Sequence, residues 1–249
     1  MQLARLNGLL AVGLGKGLQV KGELPLDRKK MTIEYKDKDG KAYDPPYQNI
    51  HHRNEVLMGP GDGRLHLEYF HSVGKTWTLG GSTGATIPLG KTEVDPYELT
   101  EKSQSHQHIQ MGSGVVSPVA SLRVIQQGHR WGMMASAQGL MSLYHNDKNY
   151  KPSSSMTLSA GPTFRITSKV MLFGSVEVLK ETQSFWGEDA DPMSGRTAII
   201  GSGGVVYRFN PTVALMAQGR GTMAQWSTAD LITQHFIGVA GVTFTPQKD

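Results

Sequence analysis

Apolar and polar residues alternate along most of this chain with a period of two. Between positions 155 and 167, Met156, Leu158, Ala160, Pro162, Phe164 and Ile166 share one parity, while Ser155, Thr157, Ser159, Gly161, Thr163 and Arg165 share the other. Successive strand residues point to opposite faces, so this spacing predicts a strand with one greasy and one wet face; a helix would scatter the same residues around its axis. The alternation recurs at 18–24, 64–69, 77–87, 213–223 and 232–244. It predicts eleven strands, starting near Leu3, Leu18, Arg64, Trp77, Gln107, Trp131, Ser155, Val170, Thr197, Thr212 and Leu231. No stretch between them carries a 3.6-residue repeat. The fifth segment changes step, with Ile109, Met111 and Val115 on odd positions and Ala120, Leu122 and Val124 on even ones. This predicts a register-resetting bulge around 116–118, where a proline that cannot donate to a ladder is tolerated.

The connections alternate as well. Short turns at 15–17, 74–75, 128–130, 167–169 and 210–211 are interleaved with longer connections at 27–63, 90–106, 145–154, 183–195 and 227–230. Tight turns at one end and long loops at the other describe an up-and-down meander, whereas a soluble sandwich needs Greek-key crossings. The segments run to ten residues and more, longer than the usual soluble strand of about 5 to 6 and long enough for the roughly 9 to 11 that cross a bilayer. Eleven such strands would enclose too wide a barrel for a dry core of side chains. The expectation is therefore an all-β chain, a single antiparallel up-and-down transmembrane barrel over residues 1–249. Its greasy face meets acyl chains and its wet face lines a lumen.

Composition changes this picture in two respects. The mean hydropathy is low, but alternation hides the apolar half of a membrane strand from any average. The 249 residues include no cysteine, which excludes a disulfide scaffold, a thiolate metal site and a cysteine nucleophile. A net charge of +4 without a basic cluster interleaved with aromatics gives no reason to expect a nucleic-acid partner. The wet parity carries Arg5, Lys21, Glu23, Arg64, His66, Glu68, Arg123, Arg165, Glu177, Arg208 and Arg220. Charges at such positions must be hydrated or paired, so these residues are the candidate lumen lining. Trp77, Trp131, Tyr144, Tyr207, Phe209, Trp226 and Phe244 lie near segment ends, as an interfacial aromatic girdle would.

The closing stretch 236–244 (FIGVAGVTF), alternating and ending in an aromatic, resembles the C-terminal insertion signal of Gram-negative outer-membrane β-barrels, although residues 245–249 follow it. The stretches 87–96 (IPLGKTEVDP) and 106–114 (HQHIQMGSG) resemble transporter-type barrels grouped with the MetA-pathway of phenol degradation. That resemblance implies an outer-membrane location and passage of small molecules, hydrophobic ones included. Outer-membrane barrels usually have an even strand number with both termini on the short-turn side. Eleven strands leave the first one starting on the long-loop side, so the expectation is that one strand and a signal peptide precede Met1 and that the intact barrel has twelve.

Enzymatic chemistry finds little support. His106 and His108 share a face and are weak candidate metal ligands, with Asp95, Glu98 and Glu101 nearby. His51 and His52 lie in a polar loop. Outer-membrane phospholipases pair a Ser with a His within hydrogen-bond reach, but His108 and Ser113 are five apart and the His-x-Ser-Asn-Gly arrangement is absent. The expected protein is not an enzyme and has no cofactor. Its partners are outer-membrane lipid and lipopolysaccharide and small-molecule cargo; the 27–63 connection, with Lys29, Lys30, Lys36, Lys38 and Lys41, is placed to fold inward, bind a partner or contact anionic lipopolysaccharide. The leading function is a passive channel; the alternative is a non-conducting structural or adhesion barrel acting through its outer loops.

Overall fold

The computed structural model describes residues 2–44, 54–104, 106, 109–227 and 236–245. Its strands in chain order are β1 (Gln2–Gly15), β2 (Leu18–Met31), β3 (Glu55–Pro60), β4 (Gly63–Val73), β5 (Trp77–Ile87), β6 (Pro118–Gln127), β7 (Trp131–Leu140), β8 (Tyr150–Lys151), β9 (Ser155–Arg165), β10 (Val170–Glu181), β11 (Phe185–Trp186), β12 (Asp189–Ala190), β13 (Arg196–Arg208), β14 (Val213–Ser227) and β15 (Phe236–Phe244). A single helical turn and a half, α1 (Pro96–Glu101), is capped by the Asp95 carboxylate. One antiparallel sheet runs β1-β2-β4-β5-β6-β7-β9-β10-β13-β14-β15, with β3 added alongside β2. The sheet curls into part of a barrel wall. β1 and β15 form its two edges and run in the same direction, and no pairing joins them among the described residues. A small second sheet, β12-β11-β8, is built from the long connections.

The principal strands follow the alternation closely, and the short turns fall where Gly, Asn or Pro predicts them, except at 167–169, where the Thr167 hydroxyl accepts from Lys169 N and Val170 N. Gly15, Lys16 and Gly17 all have positive φ (94°, 52° and 82°), which the tight return from β1 to β2 requires. Three boundaries differ from the sequence reading. β2 continues to Met31 because β1 pairs with it as far as Gln2↔Lys30, so the 27–63 connection starts later than expected. Within that connection, β3 pairs with residues 26–31 of β2. The fifth principal strand starts at Pro118, not near Gln107, because 109–117 forms no ladder at all. The change of parity there marks loop joining strand, not a bulge at 116–118. A bulge does occur at Met223, where the β13–β14 register passes from Ile199↔Ala224 to Ile200↔Thr222. The last strand is described from Phe236, and its expected start near Leu231 lies outside the described residues.

Sidedness is settled within single strands. Along β4, Leu65 and Leu67 are 50 % and 44 % exposed, while His66 and Glu68 between them are 8 % and 6 % exposed. Leu158, Leu215, Val242 and many other apolar residues of the same parity are exposed, and the few fully buried apolar residues include Val115, Val119 and Ala198. A water-soluble fold reverses this order, since removing a Leu side chain from water is worth about 1.5–3 kcal/mol. The arrangement is stable only with hydrocarbon against the apolar face. Trp77, Trp131, Tyr207, Phe209 and Phe244 are exposed at the short-turn end of that face, and Trp226 and Phe236 at the other. Trp131 packs on Phe164 with ring centroids 4.4 Å apart.

On the wet face, two glycines make room for aromatic rings. A Cβ at Gly80 would stand 2.7 Å from the Phe70 ring, and one at Gly204 would stand 2.5 Å from the Phe173 ring. Glycine inside a strand thus admits a large neighbour that the pleat would otherwise exclude.

Candidate functional site

The inner face is a band of paired charges and hydroxyls. Arg5 of β1 holds Asp27 of β2 in a two-pronged pair, with Nε to Oδ1 at 2.6 Å and Nη2 to Oδ2 at 2.9 Å. Lys21 meets Glu23 two residues along the same face at 2.6 Å. Gln19 donates to Glu68 at 2.6 Å. Arg123 lies over the Phe70 ring, 5.8 Å from its centroid. Arg220 of β14 reaches Glu177 of β10 at 2.7 Å, spanning β13. Arg196 and Glu181, register partners on β13 and β10, close a further pair. Serine pairs occupy register positions between them: Ser82 with Ser121, Ser136 with Ser159 and Ser175 with Ser202, all with Oγ–Oγ distances of 2.7–2.8 Å. Arg64 and His66 stand on the same face of β4, and His66 Nδ1 is buried with no hydrogen-bond partner among the described residues.

The Asp27 side chain is 1 % exposed and that of Arg5 is 51 % exposed. Removing Arg5 leaves a shielded carboxylate without its main partner. Arg5→Ala is expected to cost about 2 kcal/mol, below the full loss for a buried pair because the arginine is half in solvent. Urea unfolding in micelles checks this, and Arg5→Ala/Asp27→Ala should recover part of the loss.

The connection from β5 to β6, residues 88–117, turns back onto this face. Its two arms, residues 88–96 and 109–117, are joined where Met111 N and Gly112 N donate to Lys91 O at 3.1 and 3.0 Å. Asp62, in the turn before β4, anchors both arms. Its carboxylate accepts from Gly90 N at 3.2 Å and from Ser113 N and Oγ at 2.7 and 2.5 Å. Lys29, facing inward on β2, donates to Gln110 O at 2.6 Å. Thr86 donates to Val115 O and accepts from Ser117 N, and Asn146 Nδ2 donates to Ser113 O. Gly90 and Gly112 cross so tightly that a Cβ on Gly90 would lie 2.5 Å from Gly112 Cα. Beneath the loop lies a polar chamber of about 430 Å³, lined by Arg5, Glu23, Asp27, Lys29, Asp62 and Arg64 among others.

The outer loops brace one another. Lys148 donates to Thr92 O at 2.5 Å, and the Tyr97 hydroxyl donates to Asp191 at 2.9 Å. Burial first, and then the neighbouring Asp191 carboxylate, push the Tyr97 phenol well above the usual tyrosine range, so this tie keeps its proton in ordinary alkaline solution.

Eleven inner-face candidates were named from the sequence, and the structure divides them. Arg5, Lys21, Glu23, Glu68, Glu177 and Arg220 enter side-chain pairs, and Arg123 meets an aromatic ring. Arg165 and Arg208 stand at the short-turn end, bordering a separate cavity. His106 packs beside α1, with Nδ1 by Gln104 O at 2.9 Å and Nε2 by Thr100 Oγ1 at 3.3 Å. His108, His51 and His52 lie outside the described residues. No group of three potential metal-binding residues occurs among the described residues. Asp62, Thr86 and Asn146 were not foreseen. Asp62 sits between two glycines, a turn signal, but nothing local to it points to Ser113, 51 residues away.

The fold is similar to that of an outer membrane channel from Pseudomonas putida F1, with a TM-score of 0.67 and 10% sequence identity over 98% of this chain and 83% of that one. OmpT, an outer membrane protein of Vibrio cholerae, aligns over 98% of this chain and 95% of its own at 9% identity, with a TM-score of 0.46. Its loop-deletion variant aligns over 97% and 90% at 8% identity, with a TM-score of 0.47. No family model matches the sequence, and no curated protein matches it. The all-β, antiparallel sheet of outer-membrane barrel type read from the alternation is the fold observed, curled into a half-barrel among the described residues.

Proposed function

We propose that this chain is a passive channel of the bacterial outer membrane, passing small polar solutes through a charged lumen. The observation that carries the reading is the inverted sheet: leucines and valines outward, ion pairs and serine pairs inward. Ion pairs on a hydrated wall offer hydrogen bonds to a solute and exchange them with water, as permeation requires. The same lining gives little foothold to an apolar solute, so polar cargo fits better than the hydrophobic cargo that the sequence resemblance implied. The structural likeness to a channel supports the same architecture. The alternative, a non-conducting barrel working through its outer loops, draws on the inward connection 88–117, which narrows one end. On this reading the apolar belt takes acyl chains, and Lys36, Lys38 and Lys41 at the long-loop side are available to lipopolysaccharide phosphates. Lys29, expected among them, instead faces inward.

Planar-bilayer recording of refolded protein decides between the two readings. Step-like currents are expected. A complete absence of current from protein that migrates as a folded, heat-modifiable barrel would overturn the channel.

A further inference from the structure

We infer that the short-turn mouth of the lumen holds a binding site for small soluble oxyanions, formed by Arg130, Arg165, Lys169 and Arg208. The inference rests on the channel reading and adds the class of solute. A cavity of about 500 Å³ at that end is lined by these four residues and His129. The backbone brings them together: Arg165 N donates to Arg130 O and Arg208 N to Lys169 O, both at 2.8 Å. Arg165 and Arg208 end β9 and β13, and Arg130 and Lys169 are the turn residues that immediately precede β7 and β10, four strands adjacent in the sheet. Pleat parity turns Arg165 and Arg208 inward, and Arg130 and Lys169 line the same cavity, while Trp131, Phe164 and Tyr207, one position away along the chain from Arg130, Arg165 and Arg208, take the opposite side, toward lipid.

Elsewhere on the inner face Arg5, Lys21, Arg196 and Arg220 each meet an acid; at this mouth no cation does among the described residues. The sequence accounts for this among the described residues. β6, β7, β9, β13 and β14 contain no Asp or Glu, and the turns at 15–17, 74–76, 128–130, 166–169 and 209–212 contain none either. The nearest acid on β10 is Glu177, eight residues from Lys169, roughly 26 Å along a strand, and Arg220 already occupies it. Three guanidinium groups and one ammonium converging on a concave surface raise the local concentration of anions. The forked arginines match the geometry of phosphate and carboxylate oxygens. Because the side chains face the lumen, the occupant is a dissolved anion and not a lipid headgroup.

The test uses the refolded full chain in zwitterionic detergent, titrated calorimetrically with inorganic phosphate. Saturable binding is expected, weakening as KCl is raised. Arg165→Gln/Arg208→Gln should lose about tenfold or more in affinity, Arg165→Lys should retain most of it, and Lys75→Gln, at a separate turn, should change little. Heat-modifiable migration verifies that each variant folds. In a KCl gradient across a planar bilayer the wild type should prefer chloride, and Arg165→Glu/Arg208→Glu should shift the reversal potential toward potassium. Phosphate binding without current would remove the channel and leave the site. Current with no anion preference, and no phosphate binding, would remove the site and leave the channel. Phosphate affinity equal in wild type and Arg165→Gln/Arg208→Gln, or binding of phosphatidylglycerol micelles in place of phosphate, overturns the proposal.

Discussion

Asp62→Ala should raise the single-channel conductance several-fold. One carboxylate holds both arms of the 88–117 connection against the inner wall, through Gly90 N, Ser113 N and Ser113 Oγ. Each hydrogen bond to a charged group is worth about 1.5–3 kcal/mol, so losing three of them at once frees both arms from their shared anchor. The ties that remain include the Lys29, Thr86 and Asn146 contacts to 110–117 and the Lys148 contact to Thr92. Gly112→Val reaches the same end sterically, since its side chain would meet Gly90, with Gly90 Cα only 2.5 Å from the Cβ position. Both variants should also gain protease cleavage within 88–117. Unchanged conductance in two variants whose loop has become cleavable would show that this connection does not restrict the lumen.

Leu158→Arg should destabilise the barrel by about 2–4 kcal/mol in lipid vesicles, the cost of an arginine near the bilayer midplane. Thr157→Arg, one residue away, should change stability by only about 0.5 kcal/mol, because its side chain faces the hydrated wall. Leu158 is 45 % exposed on the apolar face, and the ladder aligns it with Val178 and Ala137, while Thr157 aligns with Leu179 and Gln138. Guanidinium unfolding of both variants in vesicles gives the comparison. A larger loss for Thr157→Arg than for Leu158→Arg would mean that the polar parity, not the apolar one, faces hydrocarbon, and the membrane reading would fall with it.

How far the sequence reaches follows from what each feature depends on. The number of principal strands, their turns and the apolar parity were legible because all three are local. Period two is a property of neighbouring residues, and turn chemistry needs only Gly, Asn or Pro at one place. Residues 109–117 misled for the same reason: Ile109, Met111 and Val115 alternate like a strand, but Val115 is buried beneath Thr86 in a loop. The β3 extension went unseen because Glu55–Pro60 is short and gains its ladder only from the far end of β2.

Residue types and spacing alone determined that this chain makes long amphipathic strands whose apolar side must leave water. Only the tertiary structure decided which charges neutralise one another. Arg220 and Glu177 are 43 residues apart, Lys29 and Gln110 are 81 apart, and they meet only because register and curl align strands that are distant in the chain. The unanswered cations at Arg130, Arg165, Lys169 and Arg208 are each visible in the sequence, but their convergence depends on the way four strand ends are laid side by side. A side chain's direction is set within its own strand, whereas its neighbours across the sheet are set by pairing over long separations.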